Sequence, residues 1–192
     1  MDKNGPLEKN WTVLRSERLL KDRWIDLRAD RCQTPSGREI SPYYVLSYAD
    51  WVNIVAITEA DEVVMVRQYR HGVAAWVTEL PGGVADPEDP SLAGAAAREL
   101  LEETGYRVAA LPEPVCSLYA NPATNTNRVH TFLARGVTFD RAPNLEAGEE
   151  GMSVHLAPVA EVVAGLRSGG ILQSMHVAAL SLALMATGHI RT

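Results

Sequence analysis

Cysteine is scarce in this chain. Cys32 and Cys116 are its two thiols, far apart and without a C-x-x-C pair, which argues against a zinc site and suits two reduced thiols in a reducing compartment. The five histidines show no metal-ligand spacing; His130 and His155 alternate with apolar neighbours and read as structural. Long apolar runs are missing too. The most apolar tract, "VAALSLALMATG" at 177–188, falls short of the roughly 20 residues that a membrane-spanning helix needs. The opening "MDKNGPLEKN" has no apolar core of a secretory leader. These absences lead to the expectation of a cytoplasmic protein with no membrane partner. Basic excess is lacking as well: 18 Lys and Arg stand against 24 Asp and Glu, a net charge of −6. That balance does not suit a nucleic-acid-coating protein, while leaving room for a local basic pocket that holds a small phosphorylated ligand.

What is present suits one domain with an added arm. The 192 residues, 46% of them apolar, are enough to bury a real core. The first half reads as strands: 11–20, 23–32 and 40–49, with turn chemistry in "TPSGRE" (34–39), then the β-branched runs "WVNIVAITEA" (51–60) and "DEVVMVRQYR" (61–70) as a hairpin. A loop dense in Pro and Gly follows, "TELPGGVADPEDP". A helix is expected from about Pro90, with Asp89 as its N-cap and Gly105 as its left-handed stop. Its buried face is expected to carry Ala93, Ala96, Ala97, Leu100 and Leu101. Strands resume at 115–120, 128–137 and 152–159, and two helices, 159–170 and 172–187, close the chain. The order implies an α+β fold, layered as an α/β/α sandwich with a mixed sheet.

The helix carries an oddity. "RELLEETGY" (98–106) packs Glu99, Glu102 and Glu103 into an arc of about 100°. Like charges at i,i+4 cost about a few tenths of a kcal/mol, and here they crowd the helix C-terminus, where the macrodipole disfavours them. Arg98 reaches Glu102 at i+4 and leaves two carboxylates without a cation. Either this is a solvated acidic face, or the oxygens hold a hard divalent cation, Mg²⁺ or Mn²⁺. "ELPGG" (79–83) lies just before the helix and brings bare backbone near the acids.

At this point the sequence resembles a known family. "GGVADPEDPSLAGAAARELLEETGY" (82–106) resembles the Nudix box, the loop–helix–loop signature of Nudix hydrolases. Its second half matches fully in Arg98, Glu99, Glu102, Glu103 and Gly105. The first half departs: 14 residues separate Gly83 from Arg98, one more than usual. Pro90 stands where the box has its isolated, mainly structural glutamate, with Glu88 as the expected substitute. The resemblance implies metal ligation by Glu99, Glu103 and neighbouring Glu102, with the Gly82 carbonyl as the loop ligand and Arg98 orienting the acids.

The flanks narrow the branch. "RQYR…ELPGG" (67–83) resembles ADP-ribose and nucleotide-sugar pyrophosphatases, as does the region 11–49. The resemblance implies residues 1–50 as an antiparallel β arm that joins a homodimer and residues 51–192 as the Nudix domain. Arg67 and Arg70 become diphosphate contacts. They point to opposite faces of one strand, and the preference falls on Arg67. Glu79 becomes a ribose or supporting contact, or only a strand-end charge. Trp24, Tyr43 and Tyr44 are candidates for stacking a base or for core packing, and Trp76 is as ambiguous. In "EAGEEG" (146–151) the resemblance implies a further metal ligand, matched by Glu150, and a general base, Glu149 or Glu146. Where relatives often carry a Ser-Pro-Gly loop with an acid, this chain has Asn125, Asn127 and Arg128. That difference tilts the substrate towards a nucleoside-diphosphate sugar. The expected activity is Mg²⁺-dependent hydrolysis of a small nucleoside diphosphate derivative, with no nucleic-acid partner. The alternatives are another Nudix substrate, namely a dinucleoside polyphosphate, an RNA 5′ end or a nucleoside triphosphate, or a non-catalytic ligand-sensing module.

Overall fold

The computed structural model describes residues 10–191. The chain forms two compact units. The first runs up to Tyr48 and includes Tyr119–Asn127; the second holds Ala49–Leu118 and the chain from Arg128 onward.

The first unit is an antiparallel sheet of β1 (Thr12–Lys21), β2 (Asp26–Gln33) and β3 (Glu39–Leu46), in that order. Asp22 shapes the β1–β2 turn: its Oδ1 accepts from the Trp24 and Ile25 N–H groups at 2.7 and 2.9 Å, an Asx turn. Gly37, at φ 86°, supplies the left-handed residue of the β2–β3 turn. Residues 119–127 join this unit through β3. Leu46 N–H donates to Thr124 O, Thr126 N–H donates to Leu46 O, and Tyr43 O–H donates to Ala123 O at 2.6 Å. Sequence periodicity cannot show such a long-range addition.

The second unit is built on a mixed sheet. Its strands are β4 (Trp51–Ile57), β5 (Glu62–Arg70), β6 (Ala75–Glu79), β7 (Gly82–Val84), β9 (Glu113–Tyr119, whose last residue belongs to the first unit), β10 (Arg128–Arg135) and β12 (Ser153–Pro158). The order is β12-β5-β4-β10-β9, with β6 on β5 and β7 on β4. The β4–β10 pair is parallel and β5–β12 antiparallel. Two short strands, β8 (Tyr106–Arg107) and β11 (Thr138–Phe139), pair separately. Val52, Ile54, Ala56 and Val64 face α1 (Leu92–Thr104). Val55, Ile57, Val63 and Met65 face α2 (Val159–Ser168) and α3 (Ser174–Ala186). Both faces are buried, so β4 and β5 read as nearly unbroken apolar runs. The result is the expected α+β fold: the second unit is an α/β/α sandwich with a mixed sheet, and the first is an antiparallel N-terminal sheet.

Three local expectations are corrected. Ser91, not Asp89, caps α1: its Oγ accepts from Gly94 N–H at 3.0 Å, and Asp89 is drawn away to Arg98. The glycines of "ELPGG" are strand, not loop, because Gly82 and Gly83 pair with Asn53 and Val52. The buried face of α1 is rotated: Ala95, Ala96, Glu99, Leu100, Glu103 and Thr104 are buried, while Ala93, Ala97 and Leu101 are only half-buried. The rotation turns two carboxylates inward, against β7.

Candidate active site

The centre is Arg98. Its Nε and Nη2 donate to Asp89 Oδ1 and Oδ2, both at 3.0 Å. Nη1 donates to Glu99 Oε1 at 3.0 Å and Glu102 Oε2 at 2.9 Å, and Nη2 reaches the Val84 carbonyl. This fork-to-fork contact shows how the longer loop is accommodated. Asp89, rather than Glu88, meets the arginine, its shorter side chain carried one position closer. The Arg98 guanidinium holds the Asp89 carboxyl below its ordinary range, and Asp89 in turn raises Arg98.

The inward carboxylates are the unusual feature. Glu99 and Glu103 are only 9% and 3% exposed, which excludes a solvated acidic face at these two positions. Glu103 Oε2 accepts from the Gly82 N–H at 2.9 Å. Burial pushes the Glu103 carboxyl up to about 8, against the Gly82 hydrogen bond, with Glu99 and Glu149 adding repulsion. Burial also raises Glu99, opposed by Arg98 and reinforced by Glu102 and Glu149. Gly83 is needed for this closeness: a β-carbon built there would stand 2.6 Å from Glu99 Oε1.

The 146–150 segment forms a 3-10 turn, Ala147–Glu149. Glu146 and Glu149 cap each other reciprocally, with Glu146 N–H donating to Glu149 Oε2 at 2.8 Å. Glu149 is half-buried, and its charge is felt at both Glu99 and Glu103. Glu146 and Glu150 are exposed.

Strand alternation separates the two arginines of β5. Arg70 pairs with the buried Glu79 through Nη2 at 2.6 Å and Nε at 3.0 Å, joined by Gln68 Nε2 at 3.1 Å. Its charge lowers Glu103. Arg67 lies over the Trp76 ring at 5.8 Å and acts on His155. Arg70, not the sequence-preferred Arg67, is thus the arginine coupled to the acids. Trp24 and Tyr44 are exposed in the first unit, and Tyr43 is engaged with Ala123. Asn125 Oδ1 accepts from Thr124 Oγ1 at 2.9 Å. The Arg128 guanidinium is tied to Ser117, through Oγ at 2.8 Å and the carbonyl at 2.9 Å.

Among the described residues, no three His, Cys, Asp or Glu side chains already form a metal cage; Arg98 and Gly82 hold the acids instead. The donor set nonetheless fits a hard divalent cation. It is all oxygen, and Glu103 is buried with one N–H donor for a group that has about four acceptor sites. Sequence reasoning missed Gln68 and misread Asp89. Only Asp89 left a signal, as the acid next to the vacant glutamate position.

Comparison with known proteins gives the family. Residues 11–46 match the family described as nucleoside diphosphate sugar hydrolase N-terminal domain, and residues 48–173 match the NUDIX domain. An ADP-ribose pyrophosphatase of Mycobacterium tuberculosis is 30% identical over 184 residues, covering 94% of this chain and 87% of that protein. A GDP-mannose pyrophosphatase of Cronobacter sakazakii is 33% identical over 131 residues, 62% of this chain and 64% of that one; the match thus spans under two thirds of that relative's length. A crystal structure of an ADP compounds hydrolase superposes with a TM-score of 0.82 at 21% identity, over 95% of this chain and 98% of that one, a likeness of fold.

Proposed function

This chain belongs to the Nudix hydrolase family, and we propose that it hydrolyses the diphosphate bond of a nucleoside diphosphate sugar or ADP-ribose. The products are a nucleoside monophosphate and a sugar phosphate. The observation that carries the reading is the pair of inward carboxylates, Glu99 and Glu103, gathered by Arg98 and Gly82 under a glycine strand. Such crowding is costly in an empty site and favourable around a divalent cation. The NDP-sugar hydrolase match at residues 11–46 supports the substrate class.

In this reading Glu99, Glu103 and Glu102, with the Gly82 carbonyl and a glutamate of the 146–150 loop, would hold Mg²⁺ or Mn²⁺. Such ions would supply charge neutralisation of the diphosphate and a lowered pKa of a bound water. Arg98 keeps Glu99 and Glu102 in register. Arg70, fixed by Glu79, presents a guanidinium edge to a phosphoryl oxygen. Glu149 takes the proton of the attacking water; it is half-buried where Glu146 and Glu150 are exposed, and its charge is felt at both buried acids. Phosphate release with a coupled phosphatase and Mg²⁺ tests this. Turnover is expected on ADP-ribose, GDP-mannose or UDP-glucose. Preferred turnover of a dinucleoside polyphosphate, a nucleoside triphosphate or capped RNA would reject the substrate class, and binding without turnover would reject the enzyme.

The same reading includes a homodimer. All ten residues of β1 are exposed, and Trp11, Val13, Leu14, Leu19 and Leu20 are each about half exposed. So much apolar surface on one strand and the residue before it is expected to meet a second surface. Sedimentation velocity is expected to give twice the 20.9 kDa chain mass, and Leu19→Glu or Leu20→Glu to halve it. A wild-type monomer would reject the assembly.

A further inference from the structure

α3 packs on the sheet face opposite α1, and nothing in its sequence ties it to chemistry. One of its side chains nevertheless reaches the glycine strand. His176, 6% exposed, accepts the Leu80 N–H on its Nδ1 at 3.0 Å, across 96 positions of sequence. Leu80 sits between β6 and β7, is itself 2% exposed, and is followed by Pro81, which has no N–H. Its amide is buried and needs an acceptor, and His176 supplies it. Burial, reinforced by Arg70, draws the imidazole down to about 4. The ring is therefore neutral, with its proton on Nε2 and its Nδ1 lone pair free to accept. The ring is mounted on a rigid base, because Ala179, Leu180, Ala183 and Leu184 of α3 pack with Val55 and Ile57 in one core.

The segment from 79 to 82 is then pinned at each step. Glu79 is held by Arg70 and Gln68, and the Leu80 N–H by His176. The Pro81 carbonyl accepts from Ile54 N–H at 3.1 Å, and the Gly82 N–H binds Glu103. We propose that His176 is a positioning residue for the reaction: by fixing Leu80 from behind the sheet, it sets where Gly82 and Gly83 meet Glu103 and Glu99. The inference rests on the hydrolase reading for its kinetic arm and on geometry alone for its structural arm.

The test compares His176→Leu, which removes the acceptor, with His176→Asn, whose Oδ1 can take the place of Nδ1. Amide exchange at Leu80 and Gly82 is followed by NMR in chelator, and kcat and KM are measured with Mg²⁺. In the Leu variant, exchange at both amides is expected to quicken about tenfold. Its kcat is expected to fall about tenfold with KM within about twofold, because the lost order bears on the acids rather than on substrate contacts. The Asn variant is expected to recover most of both. Unchanged Gly82 exchange in the Leu variant, kcat and KM moving together, or an Asn variant as impaired as Leu would each overturn the assignment. If the Leu variant does not fold, the Asn variant decides alone: retained protection and kcat support the role, and their loss rejects it. Wild-type protein inactive on every substrate would defeat the hydrolase reading while leaving the exchange result to decide the hydrogen bond.

Discussion

Glu103→Gln is expected to lower turnover about 10²- to 10³-fold, the scale of removing one preorganised charge contact at a reaction centre, while leaving the fold intact. The amide matches the carboxylate in shape, and its oxygen can still accept from Gly82 N–H, so the 2.9 Å contact survives. What disappears is the negative charge. The same charge destabilises the metal-free protein. Burial raises the folded-state Glu103 carboxyl from its ordinary 4.5 to about 8, so below that range the folded chain binds a proton that the unfolded chain has released. Stability from this group is full below about pH 4.5 and is lost as pH rises towards 8, by up to about 1.4 kcal/mol per pH unit. Glu99, raised for the same reason, adds in the same direction. In chelator, melting temperature is therefore expected to fall between pH 5 and 8 in the wild type and to fall less in Glu103→Gln. At pH 8 the variant is then the more stable protein and by far the poorer catalyst. Wild-type turnover in the variant, or identical pH profiles of melting, would show that Glu103 carries no such charge.

That opposition explains what the sequence could and could not disclose. Its local rules held where one element decides the outcome. β4 and β5 lie between two helical layers and read as apolar runs, and Gly105 ends α1 at φ 75° with its N–H on the Leu101 carbonyl. The spacing of Glu99, Glu102 and Glu103 was legible because helical geometry follows from sequence order. The failures came where a distant partner outweighs local preference. Asp89 is a good N-cap by type, yet a bidentate guanidinium is a stronger partner than a helix N–H, and Ser91 takes the cap. Ala97 and Leu101 yielded burial to Glu99 and Glu103 because β7 stands where those acids point. His176 has an ordinary apolar neighbourhood in sequence, and its partner lies in another layer. The joining of residues 119–127 to β3 is likewise a long-range pairing, invisible to periodicity.

The two glycines of β7 separate support from chemistry more sharply than any acid. Both have extended partners in β4, but their surroundings differ. A β-carbon at Gly82 would stand 2.3 Å from the Val52 carbonyl oxygen and 2.8 Å from Asn53 Cα. Both are backbone atoms of a central strand and cannot give way singly. Overpacking of this kind costs about 1–3 kcal/mol or more. Gly82→Ala is therefore expected to lower the melting temperature by about 5–10 °C, at about 2–4 °C per kcal/mol for a chain of this size. At Gly83 the same methyl meets the end of a side chain: Glu99 Oε1 at 2.6 Å and Cδ at 2.8 Å. The carboxylate can swing aside, so little stability is lost, but it then leaves Arg98 Nη1 and its place beside Glu103. Gly83→Ala is expected to melt within about 2 °C of the wild type and to lose about tenfold or more in kcat, because a carboxylate displaced by an ångström no longer meets the developing charge. Thermal melts and steady-state kinetics on the pair check this. The opposite pattern, a stable Gly82→Ala protein and a fully active Gly83→Ala enzyme, would mean that β7 does not press on the acids of α1 as described.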